Sequence, residues 1–176
     1  MNTVSNDKLD LFFGRRSIRV YAPGAIDEQT LSILLKAAMA APSAMTKDPW
    51  RFVTVRNQAM LGRLAAALPG GKMLSTAAMA VVVCGDLDAA LEQRLGYLLQ
   101  DCSAAIENLL LCAHALGLGA CWVGIHPSED SARQVREMLS LPKAVLPIAA
   151  ISLGWPGEQL EARTRFNPAY VHPERW

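Results

Sequence analysis

The sequence predicts an α+β or three-layer α/β arrangement, rich in helix with about four strands, and three observations carry that reading. Apolar residues recur at three and four positions in several segments. Short β-branched or continuously apolar runs stand between them. Glycine- and proline-containing breaks separate the two kinds of segment. The chain has 176 residues, enough for one core, and 52% of them are hydrophobic against 19% charged, which excludes disorder as a description of the whole.

Residues 6–13 and 27–40 read as helices, the second capped by Asp27 and carrying Leu31, Leu34, Leu35, Ala38 and Met39 as one stripe. Ala41-Pro42-Ser43 ends that helix, and Asp48-Pro49-Trp50 leads from a polar loop into the strand Phe52-Val53-Thr54-Val55. Residues 57–68 form a further helix, broken by Pro69-Gly70-Gly71, and residues 79–84 have the unbroken apolar character of a strand covered on both faces. From Asp88 to Leu116 no proline intervenes, and Leu95, Leu98, Cys102, Ala105 and Leu109 keep helical spacing. One long helix follows, placed through the core or along a subunit interface. Gly117-Leu118-Gly119 closes it, residues 120–125 read as a strand, Ser128 caps a helix toward Leu139, and residues 145–153 supply the last strand. The tail, residues 157–176, turns polar yet carries Phe166, Tyr170, His172 and Trp176, a composition suited to packing on a partner subunit rather than to solvent.

Charge and composition remove several function classes. Seventeen Lys and Arg face sixteen Asp and Glu, so no diffuse positive field draws the chain onto nucleic acid or an anionic membrane. The longest apolar run, residues 77–85, is half of what a bilayer span needs. Residues 1–7 show neither the basic nor the apolar part of a signal peptide, and a cytoplasmic location is the expectation. Cys84, Cys102, Cys112 and Cys121 stand in apolar stretches without a C-x-x-C pair, and His114, His126 and His172 form no metal-ligand spacing; buried reduced thiols and no bound metal are expected.

Four clusters could carry chemistry. Arg15, Arg16, Ser17 and Arg19 place three guanidinium forks and a hydroxyl where a helix gives way to an extended stretch, a composition that suits a phosphomonoester but, taken alone, more often marks a solvated face. Residues 42–50, Pro-Ser-Ala-Met-Thr-Lys-Asp-Pro-Trp, form a loop with uncommitted backbone groups able to meet a planar heterocycle, or simply a helix stop followed by a core tryptophan. Residues 117–127 include Gly124, which allows close backbone approach to a ligand. Their G-x-G follows a helix and opens a strand, the reverse of a dinucleotide fingerprint, so Rossmann-type binding is excluded. Arg163 and Arg165, one residue apart in an extended tail, point the same way.

In this order the clusters resemble the FMN-dependent nitroreductase family: R-R-S-x-R, then P-S-A-M-x-x-x-P-W, then the helix from Gln100 to Leu111, then G-L-G-A-C-W-V-G, and finally R-T-R-F-N-P. The resemblance spans residues 9–170. It implies an α+β three-layer sandwich with a central, mainly antiparallel sheet, one FMN-binding domain over residues 1–176, and a homodimer holding FMN at its interface. It also implies roles. Arg15, Arg16, Ser17 and Arg19 would meet the phosphate, ribityl chain and pyrimidine. Pro42, Ser43 and Ala44 would touch the isoalloxazine from the other subunit. Val123 and Gly124 would approach flavin N5, and Arg163 and Arg165 would add phosphate-binding cations. The family's loop commonly runs N-x-Q-P-W, and here Thr46 and Asp48 replace the two amides.

The activity so implied is a ping-pong oxidoreductase: NADH or NADPH reduces FMN and leaves, and a small electron-poor acceptor such as a nitroaromatic or quinone takes the electrons. No catalytic acid or base is required of the chain, and none of the nucleophile or metal motifs is present. The substitutions at Thr46 and Asp48 motivate an alternative, a flavin-binding or flavin-sensing module with low turnover. Relatives that dehalogenate, dehydrogenate or cleave flavin supply a third.

Overall fold

Strand β3 (Met79–Asp86) is buried along almost its whole length, and its alternating side chains serve two different cores. Met79, Val81 and Val83 face a cluster built on helices α2 (Glu28–Met39) and α4 (Leu95–Ala115), whereas Ala80, Val82 and Cys84 face a second cluster that contains Leu61, Leu64 and Val135. Those last residues belong to α3 (Gln58–Ala67) and α5 (Glu129–Leu139). The computed structural model describes residues 6–176, so most of the segment read for a signal peptide lies outside the described residues. Helices on both faces of one sheet give the expected three-layer α+β sandwich.

The sheet has five strands. Its longest, β5 (Val145–Pro156), pairs antiparallel with β3 from Met79↔Leu153 to Asp86↔Val145, and with β4 (Gly119–Gly124) from Gly119↔Gly154 to Gly124↔Ala149. β2 (Trp50–Val55) pairs antiparallel with β3, and the two-residue β1 (Tyr21–Ala22) pairs with the end of β5. The isolated bridge Ser17↔Ala120 is parallel.

Local signals placed most element ends. The Asp27 carboxylate accepts the Thr30 N–H at 2.6 Å, Asn57 accepts that of Met60 at 3.0 Å, and Ser128 accepts that of Ser131 at 3.3 Å, each satisfying an otherwise free N-terminal donor. The long helix is shorter than its spacing predicted. It begins at Leu95 rather than Asp88, because Ala89 and Ala90 both donate to Asp86 O in a turn and Glu92 and Gln93 take left-handed φ of 53° and 52°. Apolar spacing and the lack of proline do not report such a turn. β1, only two residues long, shows no alternation that a sequence could reveal. β5 runs three residues beyond its expected end. No helix among the described residues is long and apolar enough to cross a membrane.

Candidate functional site: an arginine-lined cleft

Residues 15–19 link α1 (Asn6–Phe13) to β1 and lie against the start of β4, held by the bridge Ser17↔Ala120 and by the Ile18 N–H donating to Ala120 O at 3.0 Å. Two glycines that face each other across β4 and β5 make this seat. A β-carbon on Gly119 would stand 2.7 Å from Ile18 Cγ2, and one on Gly154 would stand 2.7 Å from the Tyr21 ring. The G-x-G excluded as a nucleotide fingerprint thus has a structural role, in which Gly119 admits Ile18 and Gly117 turns the chain out of α4 with φ +72°. Tyr21 completes the seat. Its hydroxyl donates to Ile18 O at 2.9 Å and lies 2.7 Å from Ser152 Oγ, while burial pushes its pKa well up.

With Ile18 turned inward, the polar side chains on either side of it line a cleft of about 890 Å³. Arg15, Arg16, Ser17, Arg19, Arg163 and Arg165 all contribute to its wall, which brings together two segments about 145 positions apart in sequence. Arg15 Nε lies 3.4 Å from Glu107 Oε1, and Arg19 Nη1 donates to Ser17 O at 3.2 Å. Partial desolvation, then repulsion from Arg163, Arg15 and Arg165, lowers the pKa of Arg16. A group of cations that repel one another is an anion site in electrostatic terms, and its guanidinium forks match a phosphate.

The loop after α2 is built differently. Ser43 Oγ donates to Asp48 Oδ1 at 2.5 Å and accepts the Asp48 N–H at 3.1 Å, and the Ala44 N–H donates to Asp101 Oδ1 at 2.9 Å. Met45, Thr46 and Asp48 all have left-handed φ, 51°, 55° and 48°. The loop is therefore a fixed shape pinned to α4. Pro42, Ser43 and Ala44 do not line the arginine cleft of their own chain, and neither do Val123 and Gly124 at the far end of β4. Around Gly124 a β-carbon would meet only His126 O, at 3.9 Å, so the space above it is open.

The two tryptophans separate. Trp50 is buried core at 6% exposure, whereas Trp122 is 37% exposed. Cys121 is buried and its thiol pKa is raised by burial, as expected of an inert thiol. From Gln159 onward the tail is exposed in the single chain, with Phe166, Tyr170 and Trp176 among the most exposed large apolar residues. Two residues of consequence carried no sequence signal for their roles: Asp101, which stood inside the helix pattern, and Glu158.

A model of the nitroreductase family matches residues 13–71 and 65–155. The chain belongs to the nitroreductase family. It is 42% identical, over 97% of its own length and 88% of the relative's, to a Methanothermobacter thermautotrophicus protein named "Putative NADH dehydrogenase/NAD(P)H nitroreductase". A solved Bacteroides thetaiotaomicron structure of the same name superposes with a TM-score of 0.92 at 36% identity, covering 98% of this chain and 100% of that one. A Desulfovibrio desulfuricans structure described as a "putative nitroreductase in complex with fmn" gives a TM-score of 0.84 at 30% identity, with 98% and 99% coverage. This nitroreductase-family chain is accordingly an oxidoreductase of the α+β sandwich fold expected from its motifs.

Proposed function

We propose that this chain is an FMN-dependent oxidoreductase that accepts a hydride from NADH or NADPH and passes electrons, in a ping-pong cycle, to a small electron-poor acceptor such as a nitroaromatic or quinone. The observation that carries the reading is the convergence of Arg15, Arg16, Ser17, Arg19, Arg163 and Arg165 on one cleft. That donor set fits a phosphomonoester, and a structure of the same fold at 30% identity is described as a complex with FMN.

When bound, FMN supplies the two-electron chemistry, and the chain supplies binding, orientation and electrostatics. Arg16, Arg163 and Arg165 hold the phosphate, relieving their mutual repulsion. Arg15, Ser17 and Arg19 would orient the ribityl chain and pyrimidine and set fixed positive charge beside the ring. Val123 and Gly124 offer main-chain atoms to the ring's reactive edge, and Gly124 leaves room for the approach. No side chain needs to act as acid or base.

The reading includes a homodimer. Pro42, Ser43 and Ala44 stand outside the cleft of their own chain, so a second copy is the source from which they reach a flavin. Phe12, Phe13, Leu95, Phe166 and Trp176 are exposed apolar surface that this copy, with the tail 157–176, would cover. One observation favours the lower-turnover alternative: the Ser43 hydroxyl spends its proton on Asp48 and has none left for a flavin or substrate.

The deciding experiment is an absorbance spectrum of the purified protein reconstituted with FMN, followed by NADH and then NADPH without oxygen. Flavin bands that bleach with either nucleotide and return with an acceptor support the enzyme. Bands that neither nucleotide bleaches support the sensing module, and no flavin uptake overturns both.

A further inference from the structure

The two arginine segments repel each other, yet the cleft needs both, and the backbone ladder that joins them stops short of it. β1 and β5 pair only at Tyr21↔Pro156 and Ala22↔Trp155, and the Gly157 N–H then donates to Val20 O at 2.8 Å. Past that point a side chain takes over, until the Arg163 N–H donates to Phe13 O at 3.3 Å. Glu158 Oε1 accepts the Arg19 N–H at 2.6 Å and the Val20 N–H at 3.0 Å, across 139 and 138 positions of sequence. Among the described residues, no other side chain of residues 157–176 bonds to residues 13–22. Glu158 is half-buried within an otherwise exposed tail. The two N–H donors hold its carboxyl below the usual carboxylate range, so it is an anion at neutral pH. It does not line the arginine cleft; it faces the neighbouring cavity of about 440 Å³.

We propose that Glu158 is a positioning residue for the phosphate end of the cofactor: one carboxylate oxygen staples the Arg15–Arg19 segment to the tail, so that Arg163 and Arg165 stand opposite Arg16 against their mutual repulsion. The inference rests on the FMN reading above. The staple acts on the cleft through the backbone of Arg19 and Val20, and the segment it holds carries three of the cleft's guanidinium groups. Its removal leaves two N–H donors without a partner and leaves residues 158–162 without a tie between the Gly157 bond to Val20 and the Arg163 N–H bond to Phe13 O, so the spacing of Arg163 and Arg165 from Arg16 loosens.

The test compares dissociation constants of FMN and of riboflavin, which lacks the phosphate, for the full-length wild type and for Glu158→Ala, Glu158→Asp and Glu158→Gln. A positioning role predicts that Ala weakens FMN by about tenfold or more while riboflavin changes by less than about threefold. Asp, one methylene too short to reach both donors, gives an intermediate loss, and Gln, which keeps the acceptor oxygen, recovers most of the affinity. If Ala does not fold, Asp and Gln carry the comparison. An FMN-to-riboflavin ratio unchanged from wild type in the folded variants overturns the proposal while leaving FMN binding intact. A wild type that binds no FMN overturns the flavin reading itself and the inference with it.

Discussion

Asp101 on α4 accepts the backbone N–H of Ala44 at 2.9 Å, and this one bond fastens the loop after α2 to the longest helix of the molecule. Asp101 is 5% exposed, and its second oxygen, Oδ2, has no hydrogen-bond partner among the described residues. Replacing it with alanine strands the Ala44 donor, and the expected cost is about 1–3 kcal/mol. Asp101→Asn keeps an acceptor for Ala44 and exchanges the unpartnered oxygen for an amide, so it should cost less than half as much. Urea unfolding midpoints of the two variants check the order; equal losses would show that the bond to Ala44 is not what matters.

Gly119 makes room for Ile18, and Ile18 anchors the arginine segment. In Gly119→Ala the new methyl would press on a β-branched side chain that has little freedom to move, at an expected cost of about 1–3 kcal/mol. FMN retention should fall with it, since Arg16 and Ser17 flank the displaced residue. Gly62, whose surroundings are open within 4 Å, is the control: Gly62→Ala should be neutral or stabilising, because it lies inside α3.

The double variant Arg15→Ala with Arg165→Ala removes charge from the cleft without touching either hydrophobic cluster. Its thermal midpoint without flavin should stay within a few degrees of wild type, while flavin retained through gel filtration falls tenfold or more. Unchanged flavin content would remove both residues from the site.

Burial pushes the thiols of Cys84 and Cys102 up to about 12, and raises those of Cys112 and Cys121 as well. Thiolate-selective reagents at about pH 8 should therefore leave the native protein nearly untouched, with the half-buried Cys112 reacting first and all four thiols reacting in denaturant. Above about pH 9 the unfolded thiols ionise and the native ones do not, so the unfolded state binds fewer protons and stability falls as pH rises.

At the acid end two carboxylates are depressed: Asp27 by the Thr30 N–H and then the Thr30 hydroxyl, Glu158 by the N–H groups of Arg19 and Val20. A depressed carboxylate contributes stability that is present above its unfolded pKa, about 4, and is lost as pH falls through the folded value. Urea midpoints should hold steady from about pH 6 to 5 and decline below about pH 4. Asp27→Asn, which keeps an oxygen for the cap, should flatten that decline.

The motifs that identified the family were local, and so were the features that survived into the structure. The caps at Asp27, Asn57 and Ser128, the alternation of Met79 to Cys84 and the stripe on α2 each depend on residues within a turn or on a strand's own period. The start of α4 is not legible in apolar spacing, because the left-handed backbone at Glu92 and Gln93 has no counterpart there.

Sequence alone determined that the chain is an α+β sandwich of the nitroreductase family and that its arginines stand in two groups. The resemblance implied a shared phosphate for the two groups, but only the tertiary structure decided how they meet, through contacts remote in sequence: Gly119 yielding to Ile18, Gly154 yielding to Tyr21, Arg163 bonding Phe13, and Glu158 reaching back to Arg19 and Val20. A carboxylate that bonds two backbone donors nearly 140 residues away follows no period and no motif. Its partner is chosen by how β5 and β1 leave the sheet together.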